Sequence, residues 1–362
     1  MILKQRSSKK QKVVSKISVG LDVHKEKWVV SIFEGKVHQR TYSQESDIDQ
    51  LIQHLRKNYP DAVIEMVYEA GCCGFWIQRA LQEAGMKCLI VHAADIPSTD
   101  WERKRKSDAV DARRLASLLS SGLLKGIYVP TKEQEQIRDL VRNRTDLSVD
   151  RRRYMCRIRS YLLRHGLKVP TTIKGKLWSQ AGINWLKKLS QQHLGLGQLV
   201  LTYQMMHQRL LQAGRALRKQ IKQSSYAQRY NDLMTIPGVG WCTASLLIAE
   251  LGNIQRFKGI DPLASYCGLV PDVRSSAGKT SVLGLSKRGN RKLRTALIES
   301  AWIAKRYDPD LNQTYQRAIE QGKCPQKAIV KVGRRLLNRI RAVWKKGQPY
   351  KKKKVLEQAL AA

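Results

Sequence analysis

The chain has 362 residues, 42% of them hydrophobic, and carries 67 Lys and Arg against 29 Asp and Glu, a formal charge of +38. That length supports two or three packed domains rather than a disordered basic tail, and the charge repels free cations and attracts phosphates, which points to a nucleic-acid partner. Apolar runs such as Ala62-Val63-Ile64 and Leu246-Leu247-Ile248 stop far short of a bilayer span, the first residues lack an apolar signal core, and seven cysteines without a Cys-x-x-Cys pair argue against a disulfide framework or zinc ribbon. No membrane partner and a cytoplasmic, nucleoid-associated location are expected.

Residues 1–16 form a basic leader without hydrophobic pattern. Residues 17–127 follow as an α/β domain: three strands at 17–23, 27–33 and 36–42 joined by short turns predict an antiparallel meander. A helix over 46–58 comes next, then a buried strand over 62–68, a helix over 74–85, a strand over 87–92 and a helix over 108–121. The order βββαβαβα is that of a ribonuclease H-like fold. From 128 to 228 the sequence turns to long stretches rich in Arg, Leu and Gln, at 132–165 and 198–223, with Gly214 their one breaker. They predict an elongated helical hairpin or coiled coil that serves as an oligomerisation or spacer element. The 166–197 connection has no clear shape.

Residues 229–345 read as a mainly helical domain. It opens on Ile236-Pro237-Gly238-Val239-Gly240 before a helical run, the form of a helix-hairpin-helix turn. A glycine turn at a helix N-terminus offers unpaired N–H groups that hold a phosphate without reading sequence, which marks Gly238 and Gly240. The stretch from Lys331 to Lys354 contains no acid and interleaves Trp344 and Tyr350 among its cations. With the 346–362 tail, including Lys351, Lys352, Lys353 and Lys354, it is expected to contact nucleic acid. Cys88, Cys156, Cys242 and Cys267 sit in largely apolar patterns and read as buried small hydrophobes.

Against this basic background four carboxylates stand out: Asp22 at the end of the first strand, Glu69 at the end of the fourth, and Asp108 and Asp111 on one face of a helix. The first and fourth strands neighbour each other in a ribonuclease H-like sheet, so the four acids converge. Such a cluster suits Mg²⁺, which takes hard oxygen ligands, and two such ions stabilise the attacking and leaving oxygens of phosphoryl transfer. His24, two residues on, is a candidate secondary ligand but reads rather as a polar strand-end histidine and is left outside the site.

The blocks Asp-Val-His-Lys, Tyr-Glu-Ala-Gly and Lys-x-Asp-x-x-Asp-Ala, followed by Arg-Arg-Leu-Ala, resemble the DEDD signature of the IS110/IS1111 family of insertion-sequence transposases. The second domain is similar throughout, from Ile-Pro-Gly-Val-Gly through Leu263–Pro271, Ser275–Lys279 and Leu285–Asn290 to Leu293-Arg294. The sequence departs at Ala277, where a Gly is common, and at Gly71–Phe75, where a Thr-Gly-x-Tyr-like run is usual.

The resemblance implies a DNA recombinase guided by a structured non-coding RNA and working as a homo-oligomer, dimer or tetramer. An RuvC-like domain would hold Mg²⁺, two ions per site, through Asp22, Glu69, Asp108 and Asp111, and a serine of the second domain would join covalently to DNA. Ser276 aligns best with that nucleophile, with Ser275 as the alternative in the doublet. Lys279, Lys287, Arg288 and Arg294 are expected to contact nucleic acid. A water-attacking metal nuclease or junction resolvase, and a non-enzymatic basic scaffold, are the competing readings.

Overall fold

The computed structural model describes residues 15–97, 107–173, 175–276 and 279–351, and side chains outside 274–283. The chain divides after Val129 into two compact units. In the first, strands β1 (Lys16–Val23), β2 (Lys27–Glu34) and β3 (Val37–Glu45) form the expected antiparallel meander. Strands β4 (Val63–Glu69) and β5 (Lys87–Val91) extend the sheet in parallel beside β1, giving the order β3-β2-β1-β4-β5. With helices α1 (Ile48–Asn58), α2 (Trp76–Glu83) and α3 (Asp108–Ser120) this is a mixed ribonuclease H-like sheet.

Side-chain alternation sorts the two faces of that sheet. From β1, Ile17, Val19 and Leu21 join Leu51, Leu55, Ile77 and Leu81 of α1 and α2 in one core. The intervening positions Ser18, Gly20 and Asp22 face the other way, where α3 lies. On that second face Leu115 and Leu119 of α3 pack with Val67 and Val91. A Cβ added to Gly20 would stand 2.1 Å from the Ala112 carbonyl oxygen and 2.5 Å from the Ala116 amide nitrogen. The helix backbone therefore rests directly on the strand, a contact only glycine permits.

The second unit opens with α4 (Lys132–Arg164), a short helix α5 (Gln180–Ser190) and α6 (Leu194–Lys222). Contacts run in opposite directions along the two long helices: Glu133 meets Ser225, Arg151 meets His207, and Tyr161 meets His193. They form an antiparallel hairpin, and the 166–197 connection folds onto its tip, where Leu177, Ile183 and Leu186 pack with Ile158, Leu162, Leu196 and Tyr203. Cys156, expected to be buried, is exposed on α4, because the helix presents only a narrow stripe to its partner.

Helices α7 (Ala227–Met234), α8 (Trp241–Leu251), α9 (Ile260–Tyr266), α10 (Arg291–Tyr307), α11 (Pro309–Glu320) and α12 (Pro325–Lys346) follow. Ile137, Val141, Leu217 and Ile221 at the base of the hairpin pack in one core with Leu247, Leu336 and Ile340. The regions 128–228 and 229–345, read from sequence as separate, thus share a hydrophobic interior. The expected serine loop is a β-hairpin instead: β6 (Pro271–Ser276) pairs antiparallel with β7 (Lys279–Leu285), placing Ser275 opposite Thr280 and Ser276 opposite Lys279. Among the described residues no helix is long and apolar enough to cross a membrane.

The Gly20 contact makes a direct prediction. Gly20→Ala should destabilise the first unit by about 1–3 kcal/mol, because backbone rather than a flexible side chain blocks the new methyl group. Hydrogen exchange at β1 and α3 amides reads the effect, and unchanged protection would show that the helix does not depend on this contact.

Candidate functional site

The pairing of β1 with β4 carries two of the four acids to one place. The last paired positions are Leu21 and Tyr68, so Asp22 and Glu69 sit one step further along adjacent parallel strands. Alternation puts both on the face that α3 covers. Ser107 caps α3, its hydroxyl accepting from the Val110 amide at 3.4 Å. The first turn then offers Asp108 and Asp111, where the positive end of the helix dipole favours carboxylates. Ala112, one turn after Asp108, is the residue seated on Gly20.

The result is a cleft of about 210 Å³ lined by all four acids together with His24, Cys72, Cys73 and Arg114. Within it the acids are not equivalent. His24 Nε2 lies 3.2 Å from Asp22 Oδ2 and 3.5 Å from Asp108 Oδ2, so the imidazole sits between two carboxylates. Asp111 instead receives the Arg114 guanidinium at 3.1 Å. Glu69 lines the cleft and is exposed. Burial raises the Asp22 carboxyl above its ordinary value, with repulsion from Asp108 and Asp111 acting in the same direction and His24 opposing it.

This chemistry fits a divalent cation. Asp22, His24 and Asp108 each bring one donor atom within 4.8 Å of the others, and carboxylate oxygens are the hard ligands such ions take. His24, weighed in the sequence as a secondary ligand but left outside the site, stands among these donors. Its signal was the one-residue spacing from Asp22, which on a strand returns a side chain to the same face.

The hairpin that carries the serine doublet is anchored at its base. The hairpin's base is closed by a Ser286 amide bond to the Val270 carbonyl at 2.9 Å and an Asn290 amide bond to the Tyr266 carbonyl at 2.7 Å. Gly289 allows close approach here, since a Cβ would come within 2.2 Å of Gly268 Cα. Arg294 braces the same segment by donating to the Ser286 carbonyl at 3.1 Å. Asn290 caps α10 and donates at 3.0 Å to Glu250, a buried carboxylate that also faces Arg142 at 3.3 Å and Arg138 at 3.8 Å. The hairpin thus springs from a network that ties α4, α8 and α10 together. The side chains of Ser275, Ser276 and Lys279 lie outside the described residues, as do Lys352, Lys353 and Lys354.

Ion pairing redistributes the basic surface that the sequence suggests. On α12, Arg334 pairs with Asp261, Arg335 with Asp310, and Arg339 with Asp308 and Asp310. Trp344 is buried. The Tyr350 hydroxyl donates to Asp308 at 2.7 Å, and burial with that bond pushes its ionisation up to about 12. Much of the acid-free stretch is therefore satisfied inside the fold. Lys287, Arg288 and Lys351 are exposed.

Gly238, at φ +81°, serves packing: a Cβ there would lie 2.3 Å from the Ser300 carbonyl oxygen of α10. Gly240 faces open space at the N-terminus of α8, which has no side-chain cap. Beside it, Arg144 and Arg218 each stack 4.7 Å from the Trp241 ring. A cleft of about 490 Å³ follows along α6, lined by Arg215, Arg218, Lys219, Lys222 and Gln223. None of these cations has an acidic partner among the described residues.

Comparison with known proteins places both units. Residues 19–166 match the IS110-type DEDD model described as "Transposase", and residues 230–316 match the "Transposase IS116/IS110/IS902 family" model. The y4qE protein of Sinorhizobium fredii is 29% identical over 91% of this chain and 82% of its own length. The transposase for insertion sequence element IS1533 of Leptospira borgpetersenii is 27% identical over 79% of this chain and 85% of its own length. That for IS1111A of Coxiella burnetii is 28% identical over 56% of this chain and 55% of its own.

Proposed function

This chain belongs to the IS110 family of transposases, enzymes that recombine DNA, and we propose that it cuts and rejoins DNA strands through a metal-assisted serine under the direction of a structured RNA, working as a homo-oligomer. The observation that carries the reading is the convergence of Asp22, Glu69, Asp108 and Asp111 in one cleft of a ribonuclease H-like sheet. These acids would hold Mg²⁺, two ions in this reading, which when bound neutralises a phosphate's charge and polarises its phosphorus–oxygen bonds.

The remaining steps belong to the chain. A hydroxyl of the Ser275–Ser276 doublet attacks phosphorus, with Ser276 favoured. A P–O bond to serine forms as the P–O bond to one sugar breaks; the sugar oxygen leaves with a proton and the serine proton passes to water. Because the phosphodiester is exchanged and not hydrolysed, the reverse attack by a different sugar hydroxyl rejoins the strand without an energy source. A hairpin anchored at its base through Asn290, Arg294 and the Gly268–Gly289 contact supports this role, since a nucleophile must be held in place to react.

The unpaired cations of the α6 cleft, with Arg144 and Arg218 on Trp241, support phosphate binding by DNA and guide RNA. Self-association is supported by α6 itself. Residues 194–208 contain no Asp, Glu, Lys or Arg, and Leu194, Leu201 and Met205 are exposed there.

Two experiments test this reading. With guide RNA, Mg²⁺ and a DNA substrate blocked from resealing, a protease-sensitive protein–DNA adduct should map by mass spectrometry to the doublet. It should vanish with Ala at the reacting serine and with Asp22→Asn. Efficient cleavage by the Ser275→Ala/Ser276→Ala double variant would establish a water-attacking nuclease instead. For the cleft, Arg215→Gln/Lys219→Gln/Lys222→Gln should weaken duplex-DNA binding and make its log–log salt dependence shallower by about 0.9 for each phosphate no longer neutralised. Neutralising the paired Arg335 should leave that slope unchanged. The opposite pattern would move the interface to α12.

A further inference from the structure

The imidazole between Asp22 and Asp108 has no part in the four-acid reading, yet its position is that of a ligand. In an octahedral site with bonds of about 2.1 Å, neighbouring donor atoms are separated by √2 times that length, or about 3.0 Å. His24 Nε2 stands 3.2 Å from one carboxylate oxygen and 3.5 Å from the other, and the three donors lie within 4.8 Å of one another. A hydrogen bond to Asp22 alone would explain the first distance. It would not place the same nitrogen beside Asp108, which arrives from a different element, α3.

We propose that His24 is a direct ligand of the divalent cation, through Nε2, so that the site is a carboxylate–imidazole centre rather than an all-carboxylate one. The inference rests on the acids being a metal site and adds to it. His24 reaches the cleft because it shares the strand face of Asp22 just beyond the end of β1 at Val23, where pairing no longer constrains it. Its side chain is 53% exposed, which leaves the ring free to adjust as an ion enters.

An imidazole nitrogen is a softer donor than a carboxylate or water oxygen and suits first-row transition ions. The centre should therefore prefer Mn²⁺ to Mg²⁺ by a wider margin than oxygen ligands alone would give. Arg114, which also lines the cleft, is bound to Asp111 at 3.1 Å, whereas Asp22 and Asp108 share His24.

The test uses the full-length protein with Mn²⁺ alone as probe. Pulsed electron paramagnetic resonance should show ¹⁴N modulation from one directly bound imidazole, absent in His24→Gln. In competition titrations the variant should bind Mn²⁺ about ten-fold or more weakly, with a smaller change for Mg²⁺. His24→Asp should restore Mn²⁺ affinity without the nitrogen signal. Mn²⁺ bound with no ¹⁴N modulation, or modulation that survives His24→Gln, overturns the assignment of His24 while sparing the metal site, provided that Asp22→Asn still abolishes binding. Failure of the wild-type chain to bind Mn²⁺ at all overturns both readings.

Discussion

The approach of α3 to β1 in the first unit depends on the contact between Gly20 and the helix backbone at Ala112 and Ala116. The helix comes so near the strand that no side chain fits between them. One turn earlier stands Asp108, one residue earlier Asp111, and two positions along the strand Asp22. A single absent side chain thus fixes how close carboxylates from two elements come. The fold meets the resulting repulsion only in part, with His24 between two acids and Arg114 on a third. Burial nonetheless raises the Asp22 carboxyl above its ordinary value. A site with this residual charge is stabilised by any cation that fits it.

The second unit solves the converse problem, excess positive charge. Acids are scarce in the chain, and many of them are spent on arginines that the fold must bury or pin. Glu250 gathers Arg138, Arg142 and Asn290, while Asp308 and Asp310 gather Arg339 and Arg335. A buried carboxylate is costly to leave unpaired, so the Glu250 network constrains α4, α8 and α10 together and sets the base from which the serine hairpin rises. Arg215, Lys219 and Lys222 on α6, with Arg144 and Arg218 against Trp241, are cations without such an acidic partner among the described residues.

Local patterns made much of this legible in the sequence. Strand-like patterns over 17–23, 27–33 and 62–68, and helical ones over 46–58 and 108–121, located the sheet and its helices within a few residues. The neighbouring strands one and four brought Asp22 beside Glu69 as expected. What escaped depends on contacts that no local pattern encodes. Arg334, Arg335 and Arg339 look like free cations in an acid-free run, but their partners lie at least 25 residues away in the chain. Val273, Thr280 and Val282 flank an Ala-Gly pair and signalled the β6–β7 hairpin, though the serine doublet drew the reading toward a loop. His24 reads from sequence as a polar strand-end histidine beside Asp22, and only the arrival of α3 gives it a second carboxylate.

If the acids in the Gly20-supported cleft hold a divalent cation against the scissile phosphate, the oxygens of that phosphate must matter to the choice of ion. Strand cleavage of DNA carrying a single sulfur in place of a non-bridging oxygen at that phosphate tests it most directly, because sulfur binds Mg²⁺ poorly and softer ions better. One phosphorothioate diastereomer should be cut far more slowly than the oxygen substrate in Mg²⁺, and Mn²⁺ should restore its rate. Equal cutting of the sulfur and oxygen substrates in Mg²⁺, or cutting that persists in EDTA, would contradict it.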